Sequence, residues 1–468
     1  MAAAEESPLV LVTGGSGFIA THIVQQLQEQ DFKVRTTVRS LENEAKVNPI
    51  KELCPEAKHA VEIVEADLSN AECWEDIVSG CAYVIHVASP FPSQVPNNED
   101  DVIKPAVEGT EAILKACQKA KVQRVVMTSS FMAVIGSLVG QDLSKTFTEE
   151  DWGDLEKVVD PYNKSKIMAE KAAWDFIKEL PEEEKFELVT INPGYVMGPV
   201  LCGGTSFLSM EVCKRLLERS MPAVPKLFLP IVDVRDVADA HVKALTCTDA
   251  AGHRHIVTGH NLWMKEIAQV ISKEFKPQGY SVPTLNCPYF AVWVKSLFDK
   301  TLKMVLPNLG KTVKIDNARM KDVLGVTPRE ANETIIDMCY SLIEKGLVKK
   351  SKKYKGRKGE GEENEENKEE NKENGEVKKE GENEEDEKKD EEIEKKEIDD
   401  EKKENKEKEE ENNAEEKKDE EKEEKKEEEQ KEEKEENTTT EESAKTEENT
   451  TTESETKDET PATEAAAE

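Results

Sequence analysis

The chain has 468 residues and a net charge of −35, with 100 acidic residues against 65 basic ones. Residues 351–468 hold 52 of those acids and 26 of the bases, and contain no Leu, Phe, Trp or Met, so they cannot bury enough apolar surface to offset the entropy of ordering a backbone. The acidic balance excludes nucleic acid and anionic membrane as expected partners, and no run of about 18 apolar residues offers a bilayer span.

The first 350 residues are long enough for one large α/β domain with a smaller appended part. Residues 9–13 (LVLVT) form a nearly unbroken apolar run, as a buried parallel strand should. Residues 18–29 then place Ile19, Ile23, Val24 and Leu27 at helical spacing. Further strands are expected over 33–38, 61–65, 83–87 and 124–127, with helices over 71–78 and 102–119. A helix over 162–178 leads to a strand at 189–192. This alternation predicts an α/β, Rossmann-type doubly wound parallel sheet with its ligand at the C-terminal ends of the strands.

Beyond Pro193 the pattern loosens, with helices expected over 234–245 and 330–345. The expected organisation is a nucleotide-binding domain over 1–260, a smaller C-terminal substrate-side portion drawn from 193–348, and a Glu/Lys-rich tail over 349–468. The tail composition predicts disorder or, near 421–436 where Glu and Lys lie three or four apart, a single solvated helix. Its charge suits contacts with basic partners. Nine cysteines without a CxxC pair read as reduced thiols, and the N-terminus lacks the basic start and apolar run of a signal peptide. The expected compartment is therefore the cytoplasm. Seven scattered histidines offer no metal cage, so no metal is expected, and His86 reads as a core residue of the fourth strand. Trp152, Trp174, Trp263 and Trp293 are expected to pack.

Between the first strand and first helix stands Thr13-Gly14-Gly15-Ser16-Gly17-Phe18-Ile19-Ala20. Gly14 permits a tight turn, Gly17 lets backbone approach a pyrophosphate, and the small Ala20 lets helix and strand pack. The helix start offers N–H groups and a positive dipole end to an anion. Dinucleotide contacts are expected from Thr13, Gly14, Ser16, Gly17, Phe18 and Ile19. The second strand ends at Arg39 where an acid would favour NAD, and Lys46 follows; a guanidinium there grips a 2′-phosphate, so NADP (NADPH) is the expected cofactor. Asp67 and Leu68 suit an adenine contact, and Val87, Ala88 and Ser89 are small enough for the cofactor to cross the strand ends.

Tyr162 and Lys166 stand four apart, on one face of a helix. An ammonium beside a phenol stabilises the phenolate and lowers its pKa from near 10. Ser130 ends the fifth strand, where its hydroxyl can bond a substrate carbonyl oxygen. Hydride passes from the nicotinamide to the carbonyl carbon while Tyr162 supplies the proton. Tyr354 and Lys358 repeat the spacing in the charged junction, where no core is expected around them.

The segments VLVTGGSGFIATHIV, TTVRS, EADLSN, VIHVASP, VIKPAVEGT, RVVMTSS, YNKSKIMAEKAAWDF, INPGYVMGP and VDVRDVADAH occur in that order. Together they resemble the extended short-chain dehydrogenase/reductase superfamily, in its dihydroflavonol-reductase-like group. The resemblance implies Ser130, Tyr162 and Lys166 as catalytic residues, with Tyr162 and Lys166 also touching cofactor. It implies Arg39 and Lys46 as NADP-phosphate contacts, and Pro193, Gly194 and Val196 as the loop near the nicotinamide. The implied activity is NADPH-dependent reduction of a small-molecule aldehyde or ketone. A 3β-hydroxysteroid dehydrogenase or nucleotide-sugar epimerase/dehydratase of the same branch is the enzymatic alternative; a non-catalytic NADPH-binding scaffold acting through its tail is the other. The chain departs from the pattern at Ala20, at residues 106–109, which lack a catalytic Asn, and at residues 131–135, whose apolar character points to a less polar carbonyl than a flavonoid.

Overall fold

Ten strands set up the site. They are β1 (Leu9–Val12), β2 (Lys33–Val38), β3 (Glu62–Glu65), β4 (Tyr83–His86), β5 (Arg124–Thr128), β6 (Glu187–Pro193), β7 (Tyr195–Met197), β8 (Phe228–Asp233), β9 (Arg254–Val257) and β10 (His260–Trp263). In this computed structural model the described residues are 7–90, 98–202, 207–297 and 300–357, within the unit Met1–Gly359. Seven strands form one sheet in the order β9-β6-β5-β4-β1-β2-β3, with every pairing parallel. All five residues of β5 are buried, as are six of the seven in β6, which is why the central strands read as unbroken apolar runs. The order reverses between β1 and β4, and that switch point is where a doubly wound sheet opens a crevice.

Five helices matter here: α1 (Phe18–Glu29), α2 (Asp100–Ala120), α3 (Pro161–Glu179), α4 (Val234–Ala244) and α5 (Ala331–Glu344). The α3 start is dictated locally. Asp160 accepts the Tyr162 N–H at 3.1 Å, and Pro161 takes a first-turn position where its missing N–H costs nothing. Gly109 lets α2 approach the chain after β3, since a Cβ there would lie 3.2 Å from Leu68 Cβ.

A second core joins Met197, Leu216, Met264, Phe275, Ile335, Met338 and Leu342. It lies beside a three-stranded sheet, β10-β8-β7, that the sequence reading did not anticipate. The expected helix over 71–78 is a 3-10 turn, Ala71–Cys73, followed by the α-helix Trp74–Val78. Trp293 departs from its expected packing: it is 44% exposed on the helix Tyr289–Ser296, stacked on a Phe290 that is 70% exposed.

The start of the tail also needs correction. Residues 351–357 pack onto the body: the Ser351 hydroxyl bonds the Gln278 carbonyl, and Arg357 pairs with Asp337 at 2.8 Å. Tyr354 meets the rings of Tyr280 and Tyr340 at 6.5 and 6.3 Å, so the second Tyr-x-x-x-Lys tyrosine has an aromatic cluster around it. The expected disorder or helix of the tail falls on residues outside those described.

Four histidines are buried, and burial lowers their pKa, to about 4 in His22, about 3 in His86, about 4 in His241 and about 4 in His255. Each is neutral in the fold and takes up a proton on unfolding below its ordinary pKa of about 6.5. The stability this contributes is complete above about pH 6.5 and is lost as pH falls towards 4, at roughly 3 kcal/mol per histidine. Circular-dichroism melts should show Tm dropping steeply from pH 6.5 to 4.5. A level Tm across that window would contradict the neutral assignment.

Candidate active site

The glycine turn is fastened to its neighbours by backbone. Gly14 N–H donates to Thr37 Oγ1, Gly15 N–H to the Thr37 carbonyl and Gly17 N–H to the Gly14 carbonyl, each at 2.8 Å. Gly14 has φ +74°, and a Cβ there would lie 3.2 Å from Ala88 Cβ, so only glycine suits the turn. Gly17 caps α1 with no side-chain hydrogen bond, which leaves first-turn N–H groups as donors for an anion.

Thr13 braces the turn. It is fully buried, and its hydroxyl oxygen accepts from Val87 N–H at 3.0 Å and Ala88 N–H at 2.9 Å, beside His86 Nδ1 at 3.0 Å. It shapes the fork between β1 and β4. The Asp67 carboxylate accepts from the Ser69 hydroxyl at 2.5 Å and the Ser69 N–H at 2.9 Å. Those bonds, with a smaller contribution from the Arg39 charge, hold it below the usual carboxylate range. Asp67 therefore builds the turn after β3, while the half-buried Leu68 packs towards Gly109. Arg39 is exposed and Lys46 half-buried, and neither forms an ion pair among the described residues.

A cleft of about 190 Å³ lies between the first turn of α1 and α3. Ile19, Val87 and Ser89 line one side; Ser130, Tyr162 and Lys166 line another; Pro193, Gly194 and Val196 close it. Sites that bury a drug-sized ligand hold about 300–1,000 Å³, so this enclosed part takes one end of a dinucleotide and leaves the rest to the open strand ends. The turn, the uncapped helix start and the unpaired Arg39 and Lys46 fit a phosphorylated dinucleotide. Gly194 is glycine for a local reason as well, because a Cβ there would run into the Pro230 carbonyl on β8.

Ser130 Oγ accepts the Met132 N–H at 3.0 Å, which leaves its proton to donate. Lys166 is buried, with Nζ 5.7 Å from the Tyr162 ring centroid. Burial pushes the Tyr162 phenol up to about 12, and the Asp160 charge adds to the rise. This reverses the expected lowering: desolvation dominates, and burial also pushes the Lys166 ammonium down to about 8. A phenol that keeps its proton is suited to donating one.

The apolar segment after Ser130 is also corrected. Phe131, Val134 and Ile135 are core residues packed with Phe147, Ile256 and Val313, and Ala133 is fully buried. Only Met132 stays half-exposed, so this segment does not form a substrate wall. The sequence reading also missed Ser129, Thr128, Glu170, Asn192 and Arg254, which lie in or beneath the cleft. One signal was available: Glu170 continues the four-residue spacing of Tyr162 and Lys166.

A glycine turn at the switch point, with a nearby cleft that gathers Ser130 after β5 and Tyr162 and Lys166 on α3, defines an oxidoreductase of the extended short-chain dehydrogenase/reductase class. The chain belongs to the 3-beta hydroxysteroid dehydrogenase/isomerase family, whose model matches residues 11–273. It is 32% identical to the NADPH-dependent methylglyoxal reductase of Saccharomyces cerevisiae over 71% of this chain and 98% of that protein. It is 34% identical to the anthocyanidin reductase of Arabidopsis thaliana over 59% of this chain and 85% of that one. The crystal structure of yeast methylglyoxal/isovaleraldehyde reductase complexed with NADPH superposes with a TM-score of 0.59 at 30% identity, covering 73% of this chain and all of that one.

Proposed function

We propose that this enzyme reduces an aldehyde or ketone to the alcohol with NADPH, Tyr162 acting as proton donor. One observation carries the assignment: residues 19, 130, 162, 166 and 194, far apart in sequence, line a single cleft. Bound NADPH supplies the hydride equivalent that a carbonyl carbon needs. Ser130 donates a hydrogen bond to the carbonyl oxygen and orients it. Tyr162 holds its proton at neutral pH and yields it as charge develops on that oxygen. Lys166 supplies positive charge from the same face of α3, and the α1 start with Arg39 and Lys46 holds the phosphates. The phenol's high pKa favours reduction, because alcohol oxidation would require the phenolate.

No helix among the described residues is long and apolar enough to cross a membrane, and all nine cysteines are free thiols. The thiols support a reducing compartment, the cytoplasm. The test is NADPH oxidation, followed spectroscopically, against a panel of aldehydes, ketones, steroids and dihydroflavonols. It compares the full chain with one ending after Arg357. Both forms should turn over at rates within a few-fold. Loss of turnover on truncation, or no carbonyl consumed by either form, would defeat the reading.

A further inference from the structure

Glu170 lies one turn along α3 from Lys166 and two from Tyr162, so all three share a face. Its side chain is fully buried. Oε2 accepts from Ser129 Oγ at 2.5 Å, Asn192 Nδ2 at 2.8 Å and Arg254 Nη2 at 3.3 Å. Oε1 accepts from Arg254 Nε at 2.7 Å, Thr190 Oγ1 at 2.9 Å and Trp174 Nε1 at 3.3 Å. A buried carboxylate persists only when its charge is answered in this way. Asn192 Nδ2 also bonds the Ser130 carbonyl at 3.1 Å, so Glu170 reaches the substrate-facing serine through both Ser129 and Asn192. Arg254 is held from its far side, with Nη1 donating to the Glu149 and Asp151 carbonyls and its guanidinium 3.8 Å above the Trp152 ring.

We propose that Glu170 is a positioning residue for the reduction, keeping buried Lys166 in its ammonium form and fixing Ser130 through Ser129 and Asn192, with Arg254 clamping it in place. The proposal rests on the catalytic reading of Tyr162 and Lys166 above. The groups around Lys166 leave this task to Glu170. Tyr162 retains its proton, His86 on β4 is neutral, and Arg254 is positive. Burial alone depresses the ammonium, and the Glu170 charge opposes that fall.

The experiment is the pH profile of kcat/KM for NADPH-dependent carbonyl reduction by the full chain. Wild-type activity should fall above about pH 8 as Lys166 loses its proton. Glu170→Gln keeps the size and removes the charge, and should move this alkaline limb down by about one pH unit. Glu170→Asp restores the charge and should return the limb towards its original place. Ser129→Ala removes one hydrogen bond without altering charge and should lower the rate with the limb unmoved. An unmoved limb in Glu170→Gln overturns the proposal. If that variant does not fold, Asn192→Ala decides: losing the link from Glu170 to the Ser130 carbonyl should lower kcat/KM with the limb in place, and an unchanged rate overturns the proposal. The two readings fail separately. Turnover retained by Tyr162→Phe sinks the proton-donor assignment, whereas an inactive Tyr162→Phe with an unmoved Glu170→Gln limb sinks only the positioning role.

Discussion

Phenylalanine at position 162 is expected to cut kcat by about a hundredfold or more, with the NADPH Kd rising only a few-fold. The substitution removes one oxygen and leaves the ring that Lys166 approaches at 5.7 Å. The α3 cap is untouched, because Asp160 bonds the backbone N–H of residue 162 and not its side chain. A loss of folding is therefore not expected, and unchanged melting would separate a chemical defect from a structural one. The size of the effect follows from the phenol's position. Burial holds its proton to about pH 12, and phenylalanine offers no hydrogen in its place. Steady-state NADPH oxidation at saturating carbonyl, paired with fluorescence titration of NADPH, provides the readout. Turnover within a few-fold of wild type would mean that the proton comes from elsewhere.

The centre of the large sheet was legible because its strands are apolar on both faces. Residues 18–29 and 33–38 fall on α1 and β2 as bounded from sequence, and α3 differs from its expected span by one residue at each end. The seventh strand was not legible. β9 begins Arg254-His255, which reads as a polar turn, yet both are buried because Glu170, eighty-four residues away, answers the arginine. The same long-range dependence explains residues 131–135, whose surroundings are set by Phe147, Ile256 and Val313. Spacing located the residues that face the cleft. It carried no information on the polar layer beneath them, where Ser129, Asn192 and Arg254 converge on one carboxylate.

Replacing Arg39 with Asp is expected to raise the NADPH KM on the order of a hundredfold and to leave the NADH KM level or lower. Arg39 directly follows β2, exposed and without an ion pair among the described residues, so its loss should not disturb packing. A charge-assisted hydrogen bond to a phosphate contributes about 1.5–3 kcal/mol, and the new carboxylate adds repulsion to the lost attraction. NADH lacks that phosphate, and an acid at this strand end accepts hydrogen bonds from a ribose 2′-OH, so the same change that penalises one cofactor favours the other. Lys46, which remains, should keep NADPH binding above background. Initial rates with each cofactor, at matched ionic strength because exposed charges are screened, give the two KM values. A parallel rise in both would mean that Arg39 acts on something the cofactors share, and the NADPH preference would then have to come from Lys46 alone.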